Sequence, residues 1–418
     1  MKRLPGITAR GNAIQMRGFD ASYVQVLLNG EPAPPSFSLE NVDPGLVERI
    51  EIVRSATAEL ATRAIAGTIN VVLKRVVHKA QREVRIGATE NGDGANKTTN
   101  IQMSEHEGRF SYAIGITLSH NATDRATAVD TDTSDGAGNV TTLTSGMRHQ
   151  IGQNNKIQAA PRANREMPNG DSLSWQTFLT AARSRNYSVE KDTTTLGDAP
   201  PYSVSTNQGG NRSEAVASSG SWIHKLSNDA KVETKLGMNW SSNRQDSVFN
   251  GSGDGDGPNS TLLLRDTHAH SSDSSVTLNT KYSGASAAGH ALVIGWDSAL
   301  DHRSDSRLLD DSVALLSAPL DFNEQFAVDV ARVALFARDE WFANRSWSLY
   351  TGLRWEAIRT VSTGIDTVHN QSSVLSPILQ TLYKLPKDPS TQLRAALART
   401  YKSPPGHEFD YTTLDQYR

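Results

Sequence analysis

His268 and His270 stand two residues apart. In an extended strand that spacing puts both imidazoles on one face, which suits a shared metal or haem ligand, with Asp266 and Asp273 close by. The competing reading is a histidine pair on an exposed loop. Residues 251–258, GSGDGDGP, hold the Gly and Asp of a calcium loop but lack its carboxylate ladder and terminal Glu, so a flexible external loop is expected there. The chain has no cysteine. Disulfide frameworks, thiolate zinc sites, iron–sulfur clusters and cysteine nucleophiles are thereby excluded. No G-x-x-x-x-G-K, G-x-G-x-x-G, H-E-x-x-H or G-x-S-x-G occurs, and no local motif gathers Ser, His and Asp into a triad. No motif therefore points to a catalytic group or a cofactor, and a hydrolase stays open but unsupported.

The elements that would position such side chains are bounded by composition. Of 418 residues, 42 are Lys or Arg and 45 are Asp or Glu, a net charge of −3. That leaves no basic field for a nucleic-acid backbone. Residues 64–73, AIAGTINVVL, form the longest apolar-rich run. It is about half the ~18–20 residues a membrane-crossing helix needs. A transmembrane β-barrel remains open, because its lipid face uses only every second residue and its sequence reads as polar on average.

The text of the chain changes near Arg82. Before it stand short strand-like runs at 24–28 and 50–53, and Asn29-Gly30 marks a tight turn. Asp43-Pro44 before GLVERIEIV fits an N-cap and first helical position, so a short helix is expected there. After Arg82, segments of about ten residues alternate apolar with small or polar side chains. In AKVETKLGMNWSS, Val232, Thr234, Leu236, Met238 and Trp240 oppose Lys231, Glu233, Lys235, Gly237 and Asn239. In SWSLYTGLRWEA, Trp347, Leu349, Thr351, Leu353 and Trp355 oppose Ser348, Tyr350, Gly352, Arg354 and Glu356. Short turns are expected at 169–171, 227–229 and 343–346, and long polar loops at 124–147, 187–213 and 250–260. Trp and Tyr gather near strand ends, as in interfacial girdles. A soluble sheet with one buried face would give the same alternation.

The first stretch resembles the plug domain of TonB-dependent outer-membrane receptors. Its family-like pieces come in order: Leu4-Pro5-Gly6, Met16-Arg17-Gly18, and then the runs at 26–30, 47–54 and 65–74. RVALFARDEWF and GLRWE, at 332–342 and 352–356, resemble the family's barrel strands. The resemblance implies a mostly β protein. A small mixed α/β plug at 1–79 would be followed at 80–418 by antiparallel, up-and-down transmembrane barrel strands. The family has 22 such strands. About thirteen are legible here, and Met1 sits almost on the LPG motif, so the resemblance implies an internal fragment without the TonB-contacting segment. Where the family has Arg-Gly-Pro after the ERIEV-like strand, this chain has Arg54-Ser55-Ala56.

The resemblance further implies the outer membrane of a Gram-negative bacterium. The partners would be TonB, outer-membrane lipid and a scarce ligand: a siderophore or other metal chelate, cobalamin or an oligosaccharide. Arg17 and Arg54 occupy the family's arginine positions, for which Glu340 and Glu356 are candidate barrel partners; Glu48, Arg49 and Glu51 could join that network. Pro5, Gly6, Gly18, Gly30 and Gly67 are expected to serve turns or close backbone approach. Tyr187 and Tyr202, in polar loops, are the candidates for stacking on a sugar or siderophore ring. Against this stand a non-functional receptor remnant, a passive porin and a soluble carbohydrate-binding β-protein. A porin lacks a separate N-terminal plug.

Overall fold

The computed structural model describes residues 7–10, 13–16, 24–32, 47–53, 57–59, 67–73, 80–198, 202–227, 229–253, 261–285, 289–314, 319–364, 366–385 and 388–399. A small sheet comes first. Strand β1 (Ile7–Arg10) pairs with β2 (Ala13–Met16). Strands β3 (Val24–Leu28), β4 (Glu31–Pro32), β5 (Val47–Val53) and β6 (Gly67–Leu73) form a four-stranded sheet in the order β4-β3-β6-β5. Asn29 and Gly30 both have positive φ, 53° and 86°, and close a tight hairpin between β3 and β4. The helix expected to begin at Pro44 is replaced from Val47 onward by β5. VERIEIV is rich in β-branched residues, and Ile50 and Ile52 pair with Val71 and Ile69 of β6. Cross-strand pairing there outweighs the capping signal.

The long sheet begins with β7 (Gln81–Asn91), β8 (Gly94–Glu107), β9 (Phe110–Ser134), β10 (Val140–Ala159) and β11 (Arg162–Glu166). It continues through β12 (Ser172–Leu196), β13 (Val204–Lys225), β14 (Lys231–Ser252), β15 (Thr261–Ala285) and β16 (His290–Ala314). It ends with β17 (Asp321–Phe342), β18 (Trp347–Thr363), β19 (Thr367–Leu385) and β20 (Asp388–Ala398). Pairing follows chain order and is antiparallel throughout. β10 and β11 share one lane, each lying between β9 and β12. Among the described residues no ladder joins β7 to β20.

The alternation is inverted relative to a soluble sheet. Leu236, Met238, Trp240, Leu292, Ile294, Leu335, Leu353 and Trp355 are exposed. Their neighbours Glu233, Val293, Phe336, Arg354 and Glu356 are buried. The apolar face thus looks outward and the polar face inward, as hydrocarbon outside and a hydrated lumen inside demand. From Trp347 to Trp355 the outward band runs about 27 Å along the strand.

Above that band the strands continue. Several have 25 residues, about 80 Å, where crossing a bilayer takes roughly ten. The expected long loops are consequently mostly ladder. β9 and β10 stay paired, with one register shift between Val140 and Thr142, to a turn at 135–139, where the Asp135 carboxylate accepts from the Ala137 and Asn139 amides. β12 runs to Leu196 and β13 starts at Val204. Of 250–260, residues 250–252 belong to β14, and 254–260 lie outside the described residues. The short turns stand where expected: Gly170 (φ 86°) and Asp229 (φ 57°) turn the chain, and Asn344 Oδ1 accepts from the Ser346 and Trp347 amides.

Leu236 sits mid-band. Leu236→Arg is expected to destabilise the sheet in lipid by about 2–4 kcal/mol, against far less for Leu236→Ala. The check is the urea midpoint for loss of the heat-modifiable band.

Candidate functional site

The small sheet lies against the inward face of the long one, and two of its turns make the contact. The turn at 57–59 places Ala58 wholly inside, 0% exposed, among Val293, Phe336 and Ile378. The Ala58 amide donates to Tyr350 Oη (3.0 Å), and its carbonyl accepts from Arg354 Nη1 (3.3 Å). Gly352 makes this approach possible, since a Cβ there would stand 3.1 Å from Ala58 Cβ. Next along the chain, Glu59 accepts from Arg338 Nε (2.5 Å) and lies 3.0 Å from Lys281 Nζ. Burial alone would raise the Glu59 pKa. The Lys281 and Arg338 charges outweigh it and hold the carboxyl below its ordinary 4.5. Arg338 also lies over the Tyr350 ring, 5.8 Å from its centroid.

The second contact is the Asn29-Gly30 hairpin. The Asn29 carbonyl accepts from Lys235 Nζ (2.9 Å), and Asn29 Nδ2 donates to Gln176 Oε1 (2.5 Å). A Cβ at Gly30 would meet Lys235 Nζ at 2.7 Å. Beside it, the small sheet's buried Leu28 and Val71 pack with Phe178 of β12. Between the contacts lies a cavity of about 680 Å³, whose walls include the charged residues Arg49, Glu51, Glu233, Lys235, Arg338 and Arg354.

Several sequence-derived candidates are settled in place. Arg49 bridges Glu48 and Glu51 within β5, and Glu51 also accepts from Asn70 Nδ2 (2.8 Å). Glu356, 1% exposed, receives Arg354 Nε at 3.0 Å, and Arg354 Nη1 reaches Asp297 Oδ2 at 2.7 Å. Glu356 Oε1 has no hydrogen-bond partner among the described residues. Glu340 lies 3.9 Å from Arg338 Nη1. A Cβ at Gly67 (φ 136°) would meet the Val53 carbonyl at 2.8 Å. Pro5, Gly6, Arg17, Gly18 and Arg54 lie outside the described residues.

The remaining candidates lie far along the strands. Tyr187 is exposed on β12; Tyr202 packs edge-on against Phe249 (5.8 Å) and covers Gly251. His268 Nδ1 lies 2.7 Å from Asp246 Oδ1, and His270 stands opposite Arg244 in the ladder. Among the described residues no three His, Asp or Glu gather as a metal site.

Ala58, Glu59, Lys281 and Arg338 escaped the sequence reading. A signal was present: Glu59 is the one carboxylate in residues 52–82. Lys281 and Arg338 also fall on the inward parity of their strands.

A small sheet clamped inside an outwardly apolar barrel wall defines a plugged outer-membrane barrel. Residues 1–68 match the TonB-dependent receptor plug domain, and 160–417 match the TonB-dependent receptor-like β-barrel. The chain belongs to the TonB-dependent receptor family, whose place is the outer membrane of Gram-negative bacteria. Its fold is similar to that of the copper transporter OprC (15% identity, TM-score 0.58), over 96% of this chain and 60% of that one. It is also similar to the siderophore receptor PiuA from Acinetobacter baumannii (12%, TM-score 0.53), over 91% and 57%. The chain spans about three fifths of the length of these structures.

Glu59→Gln would leave Lys281 and Arg338 short of a counter-charge. It is expected to weaken plug docking by about 2 kcal/mol, read as faster hydrogen exchange at Leu28 and Val71. Because the docked carboxyl titrates below its free value, its contribution is whole above pH 4.5 and fades as pH falls further. Wild-type protection should therefore drop below pH 4.5, and Glu59→Gln should flatten that drop.

Proposed function

We infer that this chain is the plug and adjoining barrel wall of a receptor for active uptake across the outer membrane. The observation that carries the reading is the way the plug is held. Its grip on the wall combines ion pairs, main-chain hydrogen bonds and two small apolar contacts, Ala58 and the Leu28–Val71 pair against Phe178, around a cavity with charged walls. Ion pairs facing a wet lumen specify position while contributing little net stability, because water replaces them at small cost. Such a plug is fixed at rest and movable under a pull. The pull comes from TonB on the plug's N-terminal side, and no bond in the ligand is made or broken, so the chain is not an enzyme. The ligand is a scarce solute: a siderophore or other metal chelate, cobalamin or an oligosaccharide. Tyr187 and Tyr202 are its candidate contacts.

The receptor and a passive porin differ in conductance. In a planar bilayer the whole receptor should stay closed, and Glu59→Gln should raise its rate of brief openings severalfold. A steady open-pore current from the wild type would replace this reading with the porin.

The plug arginines belong to the same proposal. Glu356 Oε1, buried and without a partner among the described residues, supports a further cation reaching it, because such an orphan acceptor costs about 1–3 kcal/mol. Arg17 and Arg54 are the candidates. Arg17→Glu and Glu356→Arg should each impair uptake, and together restore part of it. A double swap that restores nothing removes Arg17 from the pairing.

A further inference from the structure

Three arginines stand directly opposite one another on three neighbouring strands: Arg183 of β12 faces Arg212 of β13, which faces Arg244 of β14. The row continues to His270 of β15. On its other side Arg183 faces Asn155, whose Oδ1 lies 2.7 Å from His120 Nδ1. All three arginines are exposed. Like charges directly opposed across a ladder are destabilising. Among the described residues, two carboxylates pair in this neighbourhood. Glu214 takes Arg212 (2.5 Å), and Asp246 takes His268. Arg183 and Arg244 have no ion-pair partner among the described residues.

Parity and height say what would offset that repulsion. Arg183 shares the strand face of Leu173, Trp175 and Leu179; Arg244 shares that of Leu236, Met238 and Trp240. The row is therefore on the outside of the barrel, above the lipid-facing band. Leu179, Val216 and Trp240 form one cross-strand row, and the arginines lie four residues beyond it, away from the short turns. Four residues are about 14 Å of strand, or roughly 10 Å of height at the usual tilt. That reaches the headgroup layer just past the hydrocarbon. Beside Arg244 and His270 a groove of about 200 Å³ opens on the same surface. Guanidinium forks on adjacent strands, about 5 Å apart, suit phosphate oxygens better than a single ammonium would.

We propose that this row binds the phosphate of an outer-leaflet lipid headgroup. The acyl chains lie down the apolar band, and the phosphate closes the gap between like charges. Continuity with the band selects a lipid over a soluble anion, which would find no use for Trp240 and Met238 beneath it. The proposal rests on the membrane placement of the barrel and is independent of transport.

The test is native mass spectrometry of the receptor purified from outer membranes in detergent, titrated with phosphatidic acid, phosphatidylcholine or inorganic phosphate. Phosphatidic acid should be retained roughly tenfold or more tightly than phosphatidylcholine. The triple variant Arg183→Gln, Arg212→Gln, Arg244→Gln should erase that preference. Inorganic phosphate at millimolar concentration should not displace the lipid. An unchanged preference in the triple variant overturns the proposal, and displacement by inorganic phosphate reassigns the row to a soluble anion. If the triple variant loses its heat-modifiable band, Arg244→Gln alone carries the test: a severalfold weaker preference supports the site, and an unchanged one overturns it.

Discussion

Hydrocarbon offers no hydrogen bonds, and that one fact governs the long sheet. Every main-chain amide and carbonyl at bilayer depth must find a partner in a neighbouring strand. Pairing therefore runs in chain order from β7 to β20, with β10 and β11 sharing one lane between β9 and β12. The same solvent inverts the side chains. Leu and Trp face outward, where nothing polar competes, and the ionisable residues turn to the lumen. A register slip of one residue would put Arg354 and Glu356 into lipid and Leu353 into the lumen. The ladder and the polarity therefore enforce each other.

The lumen obeys different rules. It is wet, so the hydrophobic effect is a weaker means of holding the plug. Ala58 contributes one small apolar contact, and Leu28 and Val71 make a second with Phe178 of the wall. What fixes the plug's position is directional: Glu59 between two cations, and main-chain groups met by Lys235, Tyr350 and Arg354. Arg354 is the crowded member. It serves Glu356, Asp297 and the Ala58 carbonyl at once, with the Phe336 ring beneath it. Few other side chains offer so many donors in one plane.

The barrel was legible because period-two alternation is a property of single strands, and each strand repeats it. Leu236 and Trp355 declared their face without reference to any neighbour. The loop lengths were misread for a related reason. Above the bilayer both faces meet water, so the alternation fades while the ladder goes on, and polar strands such as 187–196 look like loops. The helix at Pro44 was a local signal, overridden by the pairing of β5 with β6. The site was least legible. Glu59 and Lys281 are 222 residues apart, and only the closing of the wall around the plug brings them together. Nothing in either neighbourhood encodes the other.

Three of the plug's attachments go to its main chain: the carbonyls of Asn29 and Ala58 and the amide of Ala58. A backbone group is the same whatever side chain it carries. Inherited change at Ala58 is therefore limited by size and turn geometry more than by chemical identity, whereas Asn29 also holds Gln176 through its side chain. Gly352, whose missing Cβ makes room for Ala58, sets the size limit from the opposite wall. Lineages of such a receptor could exchange much of the plug's surface and still seat it in the same orientation.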